Sequence, residues 1–152
     1  MTIFHGFNMS ASALTSQRLR MDVISANMAN AETTRGTMVN GEWQPYQRKM
    51  VVMQPNEKQS FAPFLNNAMG NSNSSVGNGV KVTGIINDQT PFKLVYNPEH
   101  PDANEQGYVQ LPNVDPLREM VDLMSATRSY EANVTTLNAS KNMLLKALEI
   151  GR

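Results

Sequence analysis

The strongest constraint in this sequence is a row of apolar residues that keeps a helical period along its C-terminal stretch. Met120, Leu123, Tyr130, Val134, Leu137, Leu144 and Leu148 share one seam, broken only by Thr127 and Lys141. Steps of three and four residues put these side chains on one face, and so long a face suits a helix that packs along another helix. Asp115-Pro116 is a start signal. A carboxylate accepts from free N–H groups there, and proline is preformed for the first helical position. Gly151 supplies a stop. A helix from Pro116 to Ile150 is roughly 50 Å long at 1.5 Å per residue. No second helix in the chain is as long, so part of it is expected to be covered from outside.

The N-terminal end repeats the theme more weakly. Phe7, Leu14, Met21 and Met28 fall seven residues apart. Ile24 and Ala31 supply most of a second row, which Ser10 and Gln17 interrupt. A helix over Phe7–Ala31 follows. Two such helices could close on each other. Their unequal lengths, and the small or polar residues where a closed pair would want bulk, favour further neighbours. Many Met and Ala side chains suit adaptable packing. A lipid surface would want basic residues on the polar face, and Arg18 and Arg20 are a weak offer.

The middle is rich in turn formers. Asn40-Gly41 precedes Trp43, Pro45 and Tyr46. Gln47–Gln54 reads as a strand stopped by Pro55, and Val80–Thr83 alternates as a half-buried strand continued by Ile85-Ile86. Phe92–Tyr96 is a third strand, and Tyr108–Leu111 at most a short one. Asn66–Gly79 is Asn/Ser/Gly-rich and reads as a flexible loop. The fold class is therefore α+β. The long terminal helices pair as a coiled-coil-like hairpin over 1–36 and 114–152, and 37–113 forms a small β-rich middle domain.

Chemistry is hard to place on this chain. There are 13 Lys+Arg against 13 Asp+Glu, giving zero formal charge, so no basic face for nucleic acid or anionic membrane stands out. No cysteine is present, which removes disulfides, thiolate metal sites and a cysteine nucleophile. His5 and His100 are the only histidines. His100 with Glu99, Asp102 and Glu105 is the best metal cluster conceivable, but it sits in a loop shaped by Pro98 and Pro101. No G-x-S-x-G or S-x-x-K motif occurs. The glycine-rich stretch lacks the Lys-Ser/Thr of a phosphate cradle. Neither enzyme nor cofactor is expected. No run approaches the roughly 20 apolar residues that span a bilayer, and residues 1–8 lack the form of a cleavable signal.

Certain stretches carry a resemblance. Ser25-Ala-Asn-Met-Ala-Asn-Ala-Glu-Thr-Thr-Arg-Gly36 resembles the N-terminal signature of bacterial flagellar axial proteins. Glu119-Met-Val-Asp-Leu-Met-Ser-Ala-Thr-Arg-Ser-Tyr-Glu-Ala-Asn133 resembles their C-terminal one. Pro45-Tyr46 with Val51-Val52, and Gly79-Val-Lys-Val with Pro91-Phe-Lys-Leu-Val-Tyr-Asn-Pro98, are similar to the proximal-rod family of basal-body proteins. So is Asp102-Ala-Asn-Glu-Gln-Gly-Tyr-Val109 with Leu111-Pro-Asn-Val-Asp115.

The resemblance implies a subunit of the periplasmic rod, exported unfolded by the flagellar apparatus without signal cleavage and assembled helically. Its implied partners are copies of itself, other rod proteins, the rod–membrane-ring adapter and the distal rod. Paired terminal helices would line the tube that transmits torque and carries later subunits. An open helical tube needs a heterologous contact, which extended amphipathic helices supply. The expected assembly residues are Leu14, Met21, Ile24 and Met28 on the first helix, and Leu123, Tyr130, Val134, Leu137 and Leu144 on the second. Asn27 and Asn30 are expected to satisfy backbone groups where the first helix ends, and Arg128 to pair across subunits. Another rod or hook subunit, a rod-associated peptidoglycan hydrolase and a membrane-surface helix are the rival readings.

Overall fold

Asp115 starts the C-terminal helix as its chemistry implies. Its Oδ1 accepts the Leu117 N–H at 3.1 Å, and its carbonyl accepts the Glu119 N–H at 3.0 Å. The computed structural model describes residues 4–56, 68–69 and 78–150. The helix, α2, runs Pro116–Ile150, and the N-terminal helix, α1, runs His5–Ala29. Asn30 ends α1: its N–H and its Nδ2 both donate to the Ala26 carbonyl, at 3.1 and 2.8 Å. The Asn66–Gly79 loop lies outside the described residues except for 68–69 and 78–79, and the Gly151 stop lies outside them as well.

The helices pack against each other. Asn27 meets Glu119, while Met21, earlier on α1, receives the Thr127 hydroxyl from further along α2 at 3.6 Å. The pair is therefore antiparallel. Because α1 has 25 residues and α2 has 35, the last turns of α2 run past α1.

The covered face of α2 differs from the expected seam by one residue in one of its two rows. Leu123, Tyr130, Leu137 and Leu144 are half-buried as one row, and Glu119, Ala126, Asn133 and Ser140 form the other. Met120 and Leu148, expected on the seam, are exposed. The reason is size and polarity. Ala126 and Ser140 let the backbones approach, and the Thr127, Ser129 and Asn133 side chains bond to carbonyls four residues back. Ser16 does the same on α1, and both it and Ser10 are buried. Ser10, an apparent interruption of the seam, is on a buried face of α1.

Among the described residues, the middle of the chain forms three separate two-stranded antiparallel sheets. β1 (Thr37–Val39) and β2 (Glu42–Gln44) join through Asn40-Gly41, both at positive φ, the geometry of a two-residue hairpin turn. This hairpin was not foreseen, since each arm has only three residues. β3 (Lys49–Pro55) pairs with β4 (Val80–Asn87) across a register shift at Val52/Met53, and both strands lie against α1. β3 starts two residues later than expected, and the Arg48 N–H just before it is given to Asn113 Oδ1 instead of to a strand. β5 (Lys93–Tyr96) pairs with β6 (Tyr108–Leu111), with the Tyr96 and Tyr108 rings edge-to-face at 5.3 Å. Gly36 allows the chain to leave α1 tightly: a Cβ there would stand 2.6 Å from the Tyr46 backbone nitrogen.

The apolar core is small. Val23, Ile24, Val109, Val114 and Ala126 are its buried hydrophobic residues among those described. A polar centre accompanies it.

Candidate functional site

That centre is built on Glu119, in the first turn of α2. Its side chain is 0% exposed. Arg48, the residue before β3, donates Nε to Oε1 at 2.6 Å, and Asn27 of α1 donates Nδ2 to Oε2 at 3.1 Å. Arg48 also lies 3.4 Å from the Asp88 carboxylate, just past β4, and 3.5 Å from Asp122 of α2. Arg20 of α1 reaches Asp122 from the other side at 3.5 Å. The guanidinium thus joins the entry of β3 to α2 and to the end of β4, its planar donors suiting several carboxylates at once, and α1 joins through Asn27 and Arg20 on two of the same carboxylates.

Asn27 is saturated. Its Nδ2 also donates to the Lys49 carbonyl at 2.9 Å, and its Oδ1 accepts the Lys49 N–H at 3.0 Å and the Tyr46 hydroxyl at 2.9 Å. Asn113 completes the arrangement: its Oδ1 accepts the Arg48 N–H at 2.8 Å while its Nδ2 donates to the Asp88 and Thr90 carbonyls.

Burial alone would lower the Arg48 guanidinium's pKa. The hydrogen bonds and charges of Glu119 and then Asp88 outweigh it, so the net direction is upward. Burial, reinforced by the Glu119 charge, raises the Tyr46 phenol, which keeps its hydroxyl a donor to Asn27. Asp88 is lowered, first by its bond from the Thr90 N–H.

The expected assembly residues divide into distinct groups. Ile24 and Asn27 are buried inside the chain. Leu14, Met21 and Met28 on α1 are half-buried, as are Leu123, Tyr130, Val134, Leu137 and Leu144 on α2. Asn30 caps α1 as expected, but Asn27 does not: the backbone groups it satisfies belong to β3. The cause is that Asn27, in the last turn of α1, stands on its buried inner face. Arg128 is on the surface, 3.3 Å from Glu131 along the same helix.

Sequence reasoning missed the Arg48–Glu119 pair. Glu119 stands seven residues before Ala126, a carboxylate on an otherwise apolar or small row, and that was the available signal. A second feature also escaped it. Leu117, Met120, Val121 and Met124 are exposed and follow helical spacing along one face of α2. Beyond the reach of α1, Met143, Leu145, Leu148 and Ile150 are exposed too. Within the described residues no group of acidic and histidine side chains could hold a metal ion. Asp102, the acid nearest His100, is already engaged: it accepts from Arg35 Nε and Thr34 Oγ1, both at 2.8 Å. No helix among the described residues is long and apolar enough to cross a membrane.

Comparison with known proteins adds the family. The pattern described as "Flagella basal body rod protein" matches residues 7–36, which span most of α1 and its exit. That described as "Flagellar basal body rod FlgEFG protein C-terminal" matches 105–150, covering β6 and α2. The flagellar basal-body rod protein FlgC of Bacillus subtilis is 62% identical over 152 residues, 100% of both chains. The FlgC of Borreliella burgdorferi is 43% identical over 99% of this chain and 98% of its own. That of Escherichia coli O157:H7 is 42% identical over the full length of both. End-to-end similarity at these levels leaves no part of the fold unaccounted for: the chain belongs to the FlgC family of flagellar basal-body rod proteins, structural subunits of the rod and not enzymes.

Proposed function

We propose that this chain is a proximal-rod subunit that assembles helically with copies of itself and other rod proteins into a torque-transmitting, channel-containing shaft. The observation that carries the reading is the apolar surface that the monomer leaves open on α2, at Leu117, Met120, Val121 and Met124 and again at Met143–Ile150. Exposed apolar side chains on one helix face, as at Leu117, Met120, Val121 and Met124, mark a protein contact. In this reading residues 1–36 and 114–152 form the rod core as a coiled-coil-like hairpin, and 37–113 lie outside it. Leu14, Met21, Met28, Leu123, Tyr130, Val134, Leu137 and Leu144 hold the hairpin and contribute their open edges to neighbours. Arg128, freely exposed, pairs across subunits.

Neighbours in the reading include the rod–membrane-ring adapter and the distal rod. The chain reaches the periplasm unfolded through the flagellar export apparatus. Long helices with a small core suit such passage, because little stable structure must be undone.

Circular dichroism and limited proteolysis of the isolated protein test the reading. The expected result is a soluble monomer of lower helicity than the folded chain implies, cleaved first towards the α1 N-terminus and the α2 C-terminus. A fully helical, protease-resistant monomer with no tendency to associate would contradict it. Leu137→Asp should block incorporation and motility while the middle domain stays folded.

A further inference from the structure

We propose that Arg48 couples the middle domain to the helix pair, so that docking of the β3–β4 hairpin and closure of α1 on α2 occur as one step. The inference goes beyond the rod reading and does not depend on which neighbours the chain has. It rests on where the charges of the polar centre come from. Glu119 belongs to α2, Asn27 to α1, Arg48 to the entry of β3 and Asp88 to the exit of β4.

Each partial arrangement leaves a group stranded. If α1 and α2 closed with the hairpin undocked, the buried Glu119 carboxylate would keep only the Asn27 amide. If the hairpin docked on α1 with α2 absent, Arg48 would lose Glu119 and Asp122 and keep only Asp88. In that case Asn27 would also lose one of its acceptors. Losing ion pairs of a buried centre is unfavourable, so both partial states, which forgo the Arg48–Glu119 pair, are penalised relative to the complete one. Apolar contacts behave differently, since each favours burial whatever the others do. The backbone adds a second tie at the same place. Asn27 brackets Lys49 through both its N–H and its carbonyl, and Asn113, just before α2, receives the Arg48 N–H. The junction therefore makes the orientation of the middle domain conditional on helix pairing.

The test is hydrogen exchange of the full-length chain in rising urea. Amides of the second half of α1, the first half of α2 and the β3–β4 ladder are read separately. In the wild type the three segments are expected to open together, with one urea dependence. In Arg48→Met the hairpin and the helix segments should open at different urea concentrations, with exchange rates at least tenfold apart. Glu119→Gln keeps the side chain's size and a hydrogen-bonding group, so it reports even where Arg48→Met fails to fold. It too should separate the openings. The proposal is overturned if the wild-type segments already open separately. It is equally overturned if either variant shifts all three by the same amount and leaves them coincident, the result expected of a residue that only stabilises.

Discussion

The two ends of the helix pair are built on opposite principles. Where α1 ends and α2 begins, Val23, Ile24 and Ala126 are buried beside Asn27 and Glu119, and the polar groups of that centre find partners within the chain. Where α2 runs past α1, Met143, Leu145, Leu148 and Ile150 face outward, and Ile150 is 86% exposed. The contrast teaches that the chain itself covers one end and leaves large apolar side chains exposed at the other. An assembling subunit needs both: a fixed joint that sets geometry, and open apolar surface that is covered only in the assembly.

Substitutions can break that comparison. The largest effect should come from Arg48→Ala, which leaves the buried Glu119 carboxylate without a cationic partner, with Glu119→Ala smaller because Arg48 keeps Asp88 and Asp122. A loss of about 3–5 kcal/mol is expected, measured as a shift of the urea midpoint. Ile24→Ala, removing a branched side chain from the same end, should cost about 2–4 kcal/mol by the same measurement. Gly36→Ala should cost about 1–3 kcal/mol, because its Cβ would meet backbone at Tyr46 and not a movable side chain. At the open end, Leu148→Ala should stay within about 0.5 kcal/mol, since the monomer covers little of it. A large loss there would erase the distinction between the ends.

Acid should act on the finished side as well. Asp88 and Asp102 both have lowered pKa values, Asp88 chiefly through the Thr90 N–H and Asp102 chiefly through Arg35. Their unfolded forms therefore take up protons first as pH falls. The stability they contribute is complete above about 3.8, the unperturbed value, and declines below it as the folded carboxylates protonate. Thermal melts between about pH 5 and about pH 2.5 should show the decline, and Asp102→Asn should flatten part of it.

Much of the fold was legible because it is local. Asp115-Pro116 marked the start of α2 at its observed first residue, the alternation from Val80 located β4, and the Phe92–Tyr96 run located β5 to within one residue. The three-residue arms beside Asn40-Gly41 are too short to show a period, so β1 and β2 stayed hidden. The seam of α2 was read one residue off in one row for a physical reason: hydrophobic spacing favours Met120, whereas the interface accepts Glu119, Ala126 and Ser140. A buried carboxylate is decided by its partners, and Arg48 lies 71 positions away in sequence. No local pattern carries that pairing. Asn27 shows the same limit, having been assigned to the helix end by its residue type when its partners sit on β3.

The central claim is that the outer apolar face of α2 is a subunit contact and not part of the monomer's own core. Val121→Asp, introduced in cells in place of the native chain, tests it most directly. Val121 is 60% exposed, so the purified variant should keep the wild-type melting temperature and circular dichroism. The account predicts that this folded variant is absent from isolated basal bodies and that the cells do not swim. Normal incorporation with normal motility would contradict it.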